Sequence, residues 1–226
     1  MKTTTPKSST DAPPAPIRRV VLTGGVATGK SHVLELFATR GVPTVDADQL
    51  AHAAVAPGGP AWHAVRCHFG ALMFDAQGRL DRPRLGKLVF SDDSARTALN
   101  AIVHPHVRAA ITKWFSDLES RTSAPFAIVA IPLFYETQPA QVFDWVIVTA
   151  CQDDTQLARV MARGLPEAEA RQRIDAQLPT AEKVRRADHA IWTDSTYAAT
   201  SRRVAEIYRE LSADPHSNPH LETGGP

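Results

Sequence analysis

The stretch Gly24-Gly25-Val26-Ala27-Thr28-Gly29-Lys30-Ser31 matches the pattern G-x-x-x-x-G-K-[ST] at every position. Glycines in this pattern permit a tight loop whose backbone N–H groups face phosphate oxygens. The ammonium group of Lys30 would reach the β- and γ-phosphates of a nucleotide, and the hydroxyl of Ser31 would bind Mg²⁺. The pattern predicts a nucleoside triphosphate site formed by Gly25, Val26, Ala27, Thr28, Gly29, Lys30, Ser31 and the adjacent His32.

The residues on either side of this phosphate loop, Gly24–Ser31, support the prediction. Residues 20–22 are apolar and mostly β-branched, which is typical of a buried strand. Residues 32–40 read as a helix with Val33, Leu36 and Phe37 on one face and Gly41 just past its end. The N-terminus of that helix would point at the phosphates, where backbone N–H groups and the helix dipole favour an anion.

The bulk composition limits the possible partners. The chain has 226 residues, 43% hydrophobic and 22% charged, which is enough for one sizeable core. Its net charge of +1 gives no electrostatic reason to expect nucleic acid or membrane binding, and no apolar run has the length of a membrane helix. Cys67 and Cys151 lack metal-ligand spacing and suggest reduced thiols, so we expect a cytoplasmic protein. The pattern specifies no oligomeric state.

The two ends of the chain differ in composition from the middle. Residues 1–16 are rich in Thr, Ser, Pro and Ala, with almost no large apolar residue, and they lack the apolar segment of a signal peptide. Residues 213–226 have a similar composition. Both segments are predicted to be disordered tails around one folded unit that covers residues 17–212.

Strand and helix patterns alternate along this unit, which is typical of an α/β fold with a parallel sheet. Strands are predicted at 20–22, 42–48, 126–131, 145–149 and 190–192. Helices are predicted at 32–40, 62–69, 84–90, 94–103, 106–118, 153–163, 166–178 and 195–211. The region from 49 to 120 is helical and broken by loops, which indicates a helical insertion rather than more sheet.

Two carboxylates, Asp46 and Asp48, end the second predicted strand. Ligands of open parallel sheets bind at the carboxyl ends of strands, so both should lie beside the phosphate loop. Because they are two residues apart on a strand, we expect them to face the same side. A kinase needs a carboxylate to orient or deprotonate the attacking hydroxyl. The alternative is a solvated strand end or a helix cap, and the phosphate loop favours the functional interpretation.

Two arginines, Arg159 and Arg163, are four residues apart on a predicted helix and therefore share a face. Arginines on a mobile helix commonly neutralise charge on a transferring phosphoryl group. A solvated basic face explains the same spacing equally well.

Two further motifs are ambiguous in the pattern alone. His104-Pro105-His106 lacks other ligands at metal-binding spacing, so it does not indicate a metal site. Glu136 follows a buried strand and a Pro132-Leu133 pair at the sheet edge that carries the phosphate loop. It is equally well explained as a site residue or as a charge at a helix start.

Taken together, the motifs resemble the dephospho-coenzyme A kinase family from about Arg19 to Leu211. A phosphate loop alone is shared by many kinases, whereas an ordered set of blocks is much more specific. The matching blocks are Leu22–Gly25 with Gly29–Ser31, Val45–Asp48 with His52, Phe69-Gly70, Gly78–Arg82, Leu85–Phe90, Ile102–Pro105, Ile131–Leu133 with Glu136, Gln156, Arg159, Gln177, Lys183 and Ala187-Asp188.

This resemblance implies that ATP phosphorylates the ribose 3′-hydroxyl of dephospho-coenzyme A in the last step of coenzyme A synthesis. It implies a core of residues 17–48, 121–152 and 186–212, a substrate-binding insertion of 49–120 and a lid of 153–185. Catalytic roles fall on Lys30, Asp48 and Arg159, and Mg²⁺ would be held by Ser31 and Asp46. The substrate-site residues would be Asp46, Asp48, His104, Leu133, Glu136, Arg163 and Gln177.

Two other functions are compatible with a phosphate loop in this architecture. One is a different small-molecule or nucleoside monophosphate kinase, which would share the loop, lid and sheet. The other is a nucleotide-gated binding module that binds ATP and transfers nothing. The carboxylate pair Asp46 and Asp48 and the two arginines count against the binding module.

Overall fold

The computed structural model describes residues 16–137 and 142–213. Most of both predicted tails, residues 1–15 and 214–226, lies outside the described residues. Within the described ranges, none of the helices combines the length and apolarity needed to span a bilayer.

A five-stranded parallel sheet forms the centre of the molecule. The strands are β1 (Arg18–Gly24), β2 (Thr44–Asp46), β3 (Phe126–Ala130), β4 (Trp145–Ala150) and β5 (His189–Trp192). They lie in the order β2-β3-β1-β4-β5, and every neighbouring pair is parallel. The predicted α/β class with a parallel sheet is confirmed.

Helices connect the strands and cover both faces of the sheet. Their bounds are α1 (Lys30–Ala38), α2 (Ala47–Ala54), α3 (Trp62–Phe69), α4 (Arg82–Ser91), α5 (Asp93–Glu119), α6 (Phe134–Thr137), α7 (Asp153–Met161), α8 (Glu167–Asp175), α9 (Thr180–Arg185) and α10 (Tyr197–Ala213). Because helices cover both faces, the central strands read as continuous apolar runs rather than as alternating ones.

Apolar side chains are buried on each face of the sheet. On one face, β1 and β3 pack against α1 and α10, and the cluster includes Val20, Phe37 and Val204. On the other face, Val129 of β3 packs with Phe115 of α5. A third cluster lies among α2, α3 and α5, so the helical region after β2 has an apolar core of its own.

The helix α5 continues through Pro105, whereas the sequence predicted two separate helices, 94–103 and 106–118. A proline inside a helix removes one hydrogen bond and crowds the preceding turn, at a cost of about 3 kcal/mol or more. Val103 before the proline and Ile111 and Phe115 after it are all buried. Tertiary packing of both halves explains why the helix continues.

The packing of α1 against the sheet can be tested by replacing one of its buried side chains. Phe37 is fully buried, and its ring meets that of Phe126 edge to face with centroids 6.4 Å apart. We expect Phe37→Ala to lower the free energy of unfolding by about 3–5 kcal/mol in urea denaturation. Phe90 is 57% exposed, so Phe90→Ala is the matched control and should change the value by about 0.5 kcal/mol or less. Equal losses in the two variants would contradict this core assignment.

Candidate active site

The phosphate loop links β1 to α1 at the carboxyl edge of the sheet. A Cβ atom on Gly24 would collide with the hydroxyl of Thr149, so no side chain fits there. Gly29 has a φ of 90°, in the left-handed region, and immediately precedes α1. No side chain among the described residues caps α1, so its first N–H groups stay available to an anion.

Buried threonines connect the phosphate loop to neighbouring strands. The Thr28 hydroxyl donates to the Gly25 carbonyl at 2.8 Å and lies 2.8 Å from the Thr149 hydroxyl. The Thr193 hydroxyl, after β5, donates to the Thr28 carbonyl at 2.9 Å. These bonds fix the loop to β4 and to the end of β5.

The two predicted lid arginines occupy different surroundings. Arg159 in α7 donates to the hydroxyl of Thr193 at 2.9 Å and to its carbonyl at 2.6 Å, with a longer contact of 3.4 Å to the Ala27 carbonyl. Arg163 lies just past α7, is exposed, and lines the phosphate-loop cleft. It pairs with no side chain in the described part of the chain. The structure therefore brings Arg163, rather than Arg159, to the cleft.

The phosphate-loop cleft has a volume of about 480 Å³. It contains the predicted nucleotide-binding residues and both carboxylates, and its lining residues are Gly24, Gly25, Val26, Ala27, Thr28, Gly29, Lys30, Ser31, His32, Asp46, Asp48, Pro132, Arg163 and Gln177. Lys30 Nζ lies 3.6 Å from Asp46 Oδ2, and the two side chains are only 13% and 17% exposed. The cleft thus holds a positive and a negative charge that are largely shielded from water.

The two carboxylates reach the cleft from different elements. The expectation that Asp46 and Asp48 share one face of a strand is wrong, because β2 ends at Asp46 and Asp48 lies in the first turn of α2. Asp46 is the N-cap of α2 and accepts the backbone N–H of Asp48 at 2.8 Å. Both side chains nevertheless line the cleft. Asp46 acts as a cap through Oδ1 while Oδ2 faces Lys30.

Asp48 has the more perturbed carboxyl group of the pair. Burial raises its pKa above the ordinary value of 3.8, and the nearby charge of Asp46 raises it further. Lys30 and His52 oppose this shift with their positive charge, but the net direction is upward. The Asp48 carboxylate is therefore a stronger proton acceptor than an exposed aspartate.

A second cavity, of about 390 Å³ and mainly apolar, adjoins the phosphate-loop cleft. The two share Asp48, Pro132 and Gln177, so this acceptor cavity opens beside the carboxylate. Its lining residues are Ala47, Asp48, Ala51, His104, Val107, Arg108, Ile111, Ile131, Pro132, Leu133, Thr137 and Gln177.

Of the predicted substrate-site residues, His104 and Leu133 line the acceptor cavity. Burial, and to a smaller extent the neighbouring Arg108, lower the pKa of His104, which favours the neutral imidazole. Arg108 was missed by the sequence analysis, because a single arginine within a long helix gives no motif. It faces the cavity one turn after His104 and adds positive charge to the wall.

Two other predicted substrate residues make contacts within the protein. Gln177 lines both cavities, and its Oε1 accepts the backbone N–H of Val26 at 2.9 Å. Glu136 lines neither of them; its Oε1 pairs with Lys183 Nζ at 2.7 Å and accepts the backbone N–H of Leu178 at 2.9 Å. Glu136 thus binds α9 and the segment before it through Oε1. It also lines a third cavity, of about 390 Å³, which shares with the acceptor cavity the residues His104, Arg108 and Thr137.

The fold and the site together define a class of protein. A phosphate loop after the central strand β1, a carboxylate pair beside it and an adjoining acceptor cavity are the parts of a phosphate-loop kinase of small molecules.

Comparison with known proteins narrows this class to one family. The family model described as dephospho-CoA kinase matches residues 18–199. The dephospho-CoA kinase of Geobacillus kaustophilus is 40% identical over 195 residues, covering 85% of this chain and 96% of the relative. That of Anaeromyxobacter dehalogenans is 45% identical over 196 residues, with coverages of 86% and 92%.

Solved structures agree with the sequence relatives. A Thermus thermophilus crystal structure superposes with a TM-score of 0.72 at 30% identity, covering 92% of this chain and 99% of that one. The dephospho-CoA kinase of Campylobacter jejuni gives a TM-score of 0.60 at 27% identity, with coverages of 88% and 100%. The chain belongs to the dephospho-coenzyme A kinase family, which catalyses the last step of coenzyme A biosynthesis.

Proposed function

We propose that this chain transfers the γ-phosphoryl group of ATP to the ribose 3′-hydroxyl of dephospho-coenzyme A, giving coenzyme A and ADP. The observation that carries the proposal is the meeting of two cavities at Asp48. One cavity contains the phosphate loop, and the other is mainly apolar and is lined in part by α2 and α5. A donor phosphate and an acceptor hydroxyl would approach each other beside a carboxylate. Family membership supports this choice of donor and acceptor.

The phosphate loop and Lys30 would hold the β- and γ-phosphates. Phosphoryl transfer proceeds through a loose transition state, so positioning and charge neutralisation supply most of the catalysis. Ser31 and Asp46 line the same cleft and would hold Mg²⁺ through the oxygen ligands that this ion prefers. Bound Mg²⁺ would neutralise charge on the phosphates.

Asp48 is the residue that we assign to the acceptor hydroxyl. It is the carboxylate common to both cavities, and its raised pKa favours proton acceptance. The apolar wall formed by Ala51, Val107 and Ile111 would receive the adenosine part of the acceptor and exclude water from the reacting groups. His104 and Leu133 would contact the acceptor at the same cavity.

The contacts of the two arginines support different roles. Arg163 is exposed at the cleft, which suits a direct contact with the phosphates. Arg159 is engaged with Thr193, which suits a role in holding the phosphate loop and the end of β5. The catalytic role expected for Arg159 requires its guanidinium to leave Thr193 when the site closes.

A cytoplasmic location and small-molecule partners, without nucleic acid or membrane, complete the proposal. They rest on the net charge of +1 and on the spacing of the two cysteines.

An acceptor panel tests the proposed function. We expect ADP to form from ATP with dephospho-coenzyme A and to stay at background with AMP or shikimate, with coenzyme A identified as the product by mass spectrometry. Lys30→Ala should lose about 100-fold or more of this turnover, about 2.7 kcal/mol of barrier, with an unchanged circular dichroism spectrum. Faster turnover with AMP would indicate a nucleoside monophosphate kinase. ATP binding without transfer to any acceptor would indicate a binding module.

Replacement of Asp48 by Asn tests the role of the carboxylate. The amide keeps the size but cannot accept a proton, so we expect kcat to fall by about 10²–10⁴-fold. The Kd for ATP, measured by calorimetry, should change by about threefold or less. In the wild type, kcat/KM should fall as the pH drops through a midpoint above 3.8, because the active carboxylate becomes protonated. A near-normal kcat with lost ATP binding would instead indicate a metal-binding role.

Alanine variants at Arg159, in α7, and at Arg163, just past its end, form a matched pair. We expect Arg163→Ala to lower kcat by about tenfold or more and leave the melting temperature within about 2 °C. Arg159→Ala should lower the melting temperature and weaken ATP binding, because it leaves the Thr193 carbonyl without its donor. A reversed pattern, with kcat lost only in Arg159→Ala, would restore the catalytic assignment of Arg159.

A further inference from the structure

Lys183 is a buried charge that the proposed reaction does not use. Its side chain is 0% exposed, and its Nζ lies 2.7 Å from Glu136 Oε1. Placing an ammonium group out of water is costly unless it is paired, and a pair that breaks leaves an uncompensated buried charge. This ion pair therefore strongly favours one position of Glu136 relative to α9.

Further contacts join the same two segments. Glu136 Oε1 also accepts the backbone N–H of Leu178 at 2.9 Å, so one carboxylate oxygen binds two points of the segment 178–183. The guanidinium of Arg186 lies over the ring of Tyr135, 5.9 Å from its centroid. The short helix α6 is thus attached to α9 and its flanks by a charge pair, a backbone hydrogen bond and a cation–π contact.

The residue next to Leu178 contacts the phosphate loop. Gln177 Oε1 accepts the Val26 N–H at 2.9 Å, and the Val26 carbonyl accepts from Gln156 Nε2 at 2.8 Å. Gln177-Leu178 therefore touches the phosphate loop with one residue and Glu136 with the next. Gln177 also lines both the cleft and the acceptor cavity.

These contacts connect the phosphate loop, through Gln177-Leu178, to α6, which adjoins the wall of the acceptor cavity. Pro132 and Leu133 immediately precede α6, and Thr137 ends it; all three line the cavity. We propose that the Glu136–Lys183 ion pair is a positioning device, which sets the acceptor wall relative to the phosphate loop through Gln177-Leu178. This inference rests on the proposed function. Glu136 and Lys183 are positioning residues, since Lys183 is fully buried and Glu136 Oε1 is bound to Lys183 and to the Leu178 N–H.

The connection should affect transfer more than nucleotide binding. A misplacement of about 1 Å between reacting groups costs on the order of 100-fold in rate, while ATP held by the loop alone is little affected. Lys183→Met leaves the Glu136 carboxylate unpaired, and Glu136→Gln keeps an oxygen for Leu178 but unpairs Lys183. The double variant carries neither charge.

We expect each single variant to lower kcat with dephospho-coenzyme A by about tenfold or more, with the Kd for ATP within about threefold of the wild type. The double variant should regain part of that loss, and Lys183→Arg should retain most of the activity. Gln177→Leu combined with Lys183→Met should be markedly non-additive in kcat, since both act through one connection. Lys113→Met is the control, because its pair with Asp117 is exposed and neither residue lines the cleft or the acceptor cavity.

Amide hydrogen exchange at Val26 and Leu178 gives a readout that needs no acceptor. Exchange at both amides should be faster in Lys183→Met and Glu136→Gln than in the wild type. A lower melting temperature with unchanged kcat and unchanged Val26 exchange would show a purely structural pair and overturn the inference. Additive effects of Gln177→Leu and Lys183→Met would also overturn it. A wild type that fails to phosphorylate dephospho-coenzyme A would refute the proposed function, while altered Val26 exchange would still support the connection.

Discussion

The phosphate loop must leave backbone N–H groups open to an anion, and the rest of the site depends on how the protein meets this constraint. An open loop is not stabilised by secondary-structure hydrogen bonds at those N–H groups. Its other polar groups therefore need hydrogen-bond partners elsewhere in the protein. Thr28 and Thr193 supply them from within the loop and from the end of β5. Gln156 and Gln177 supply them at Val26. Side chains from distant parts of the chain therefore hold a loop that itself stays open.

Parts of the fold could be predicted from the sequence where the residue types are compatible with only one local structure. The glycines and lysine of the phosphate loop, followed by an apolar helical face, identify the loop and the helix α1, and the alternation of strand and helix patterns predicts the parallel sheet. The path through Pro105 could not be predicted, because the local cost of proline is visible in the sequence and the burial of Val103, Ile111 and Phe115 is not. Asp48 was assigned to the strand for a similar reason, since the pattern does not show that β2 has only three residues.

More of the residues that line the two cavities could be predicted than of the contacts that those residues make. His104, Leu133 and Gln177 do line the acceptor cavity, where their family motifs suggested a substrate role. The turn of Glu136 toward Lys183 could not be read from the sequence, because ion-pair partners far apart in the chain leave no spacing signal. The same holds for Arg159, which has the spacing of a phosphate-binding arginine but binds Thr193. Spacing shows which side chains share a face, and the partner depends on packing between elements.

The pair of Lys30 and Asp46 shows why such a site can be stable and still receive a nucleotide. Charge-assisted hydrogen bonds have donor–acceptor distances of about 2.7–2.9 Å, whereas Lys30 Nζ and Asp46 Oδ2 are 3.6 Å apart. The two charges compensate each other in a mostly buried cleft without a tight bond between them. Phosphate oxygens can therefore replace the carboxylate at Lys30 at a small cost in direct bonding. In the proposed nucleotide complex Asp46 would stay in place, because its other oxygen caps α2 through Asp48. A carboxylate held by the fold rather than by Lys30 would then be able to bind the proposed Mg²⁺ without moving.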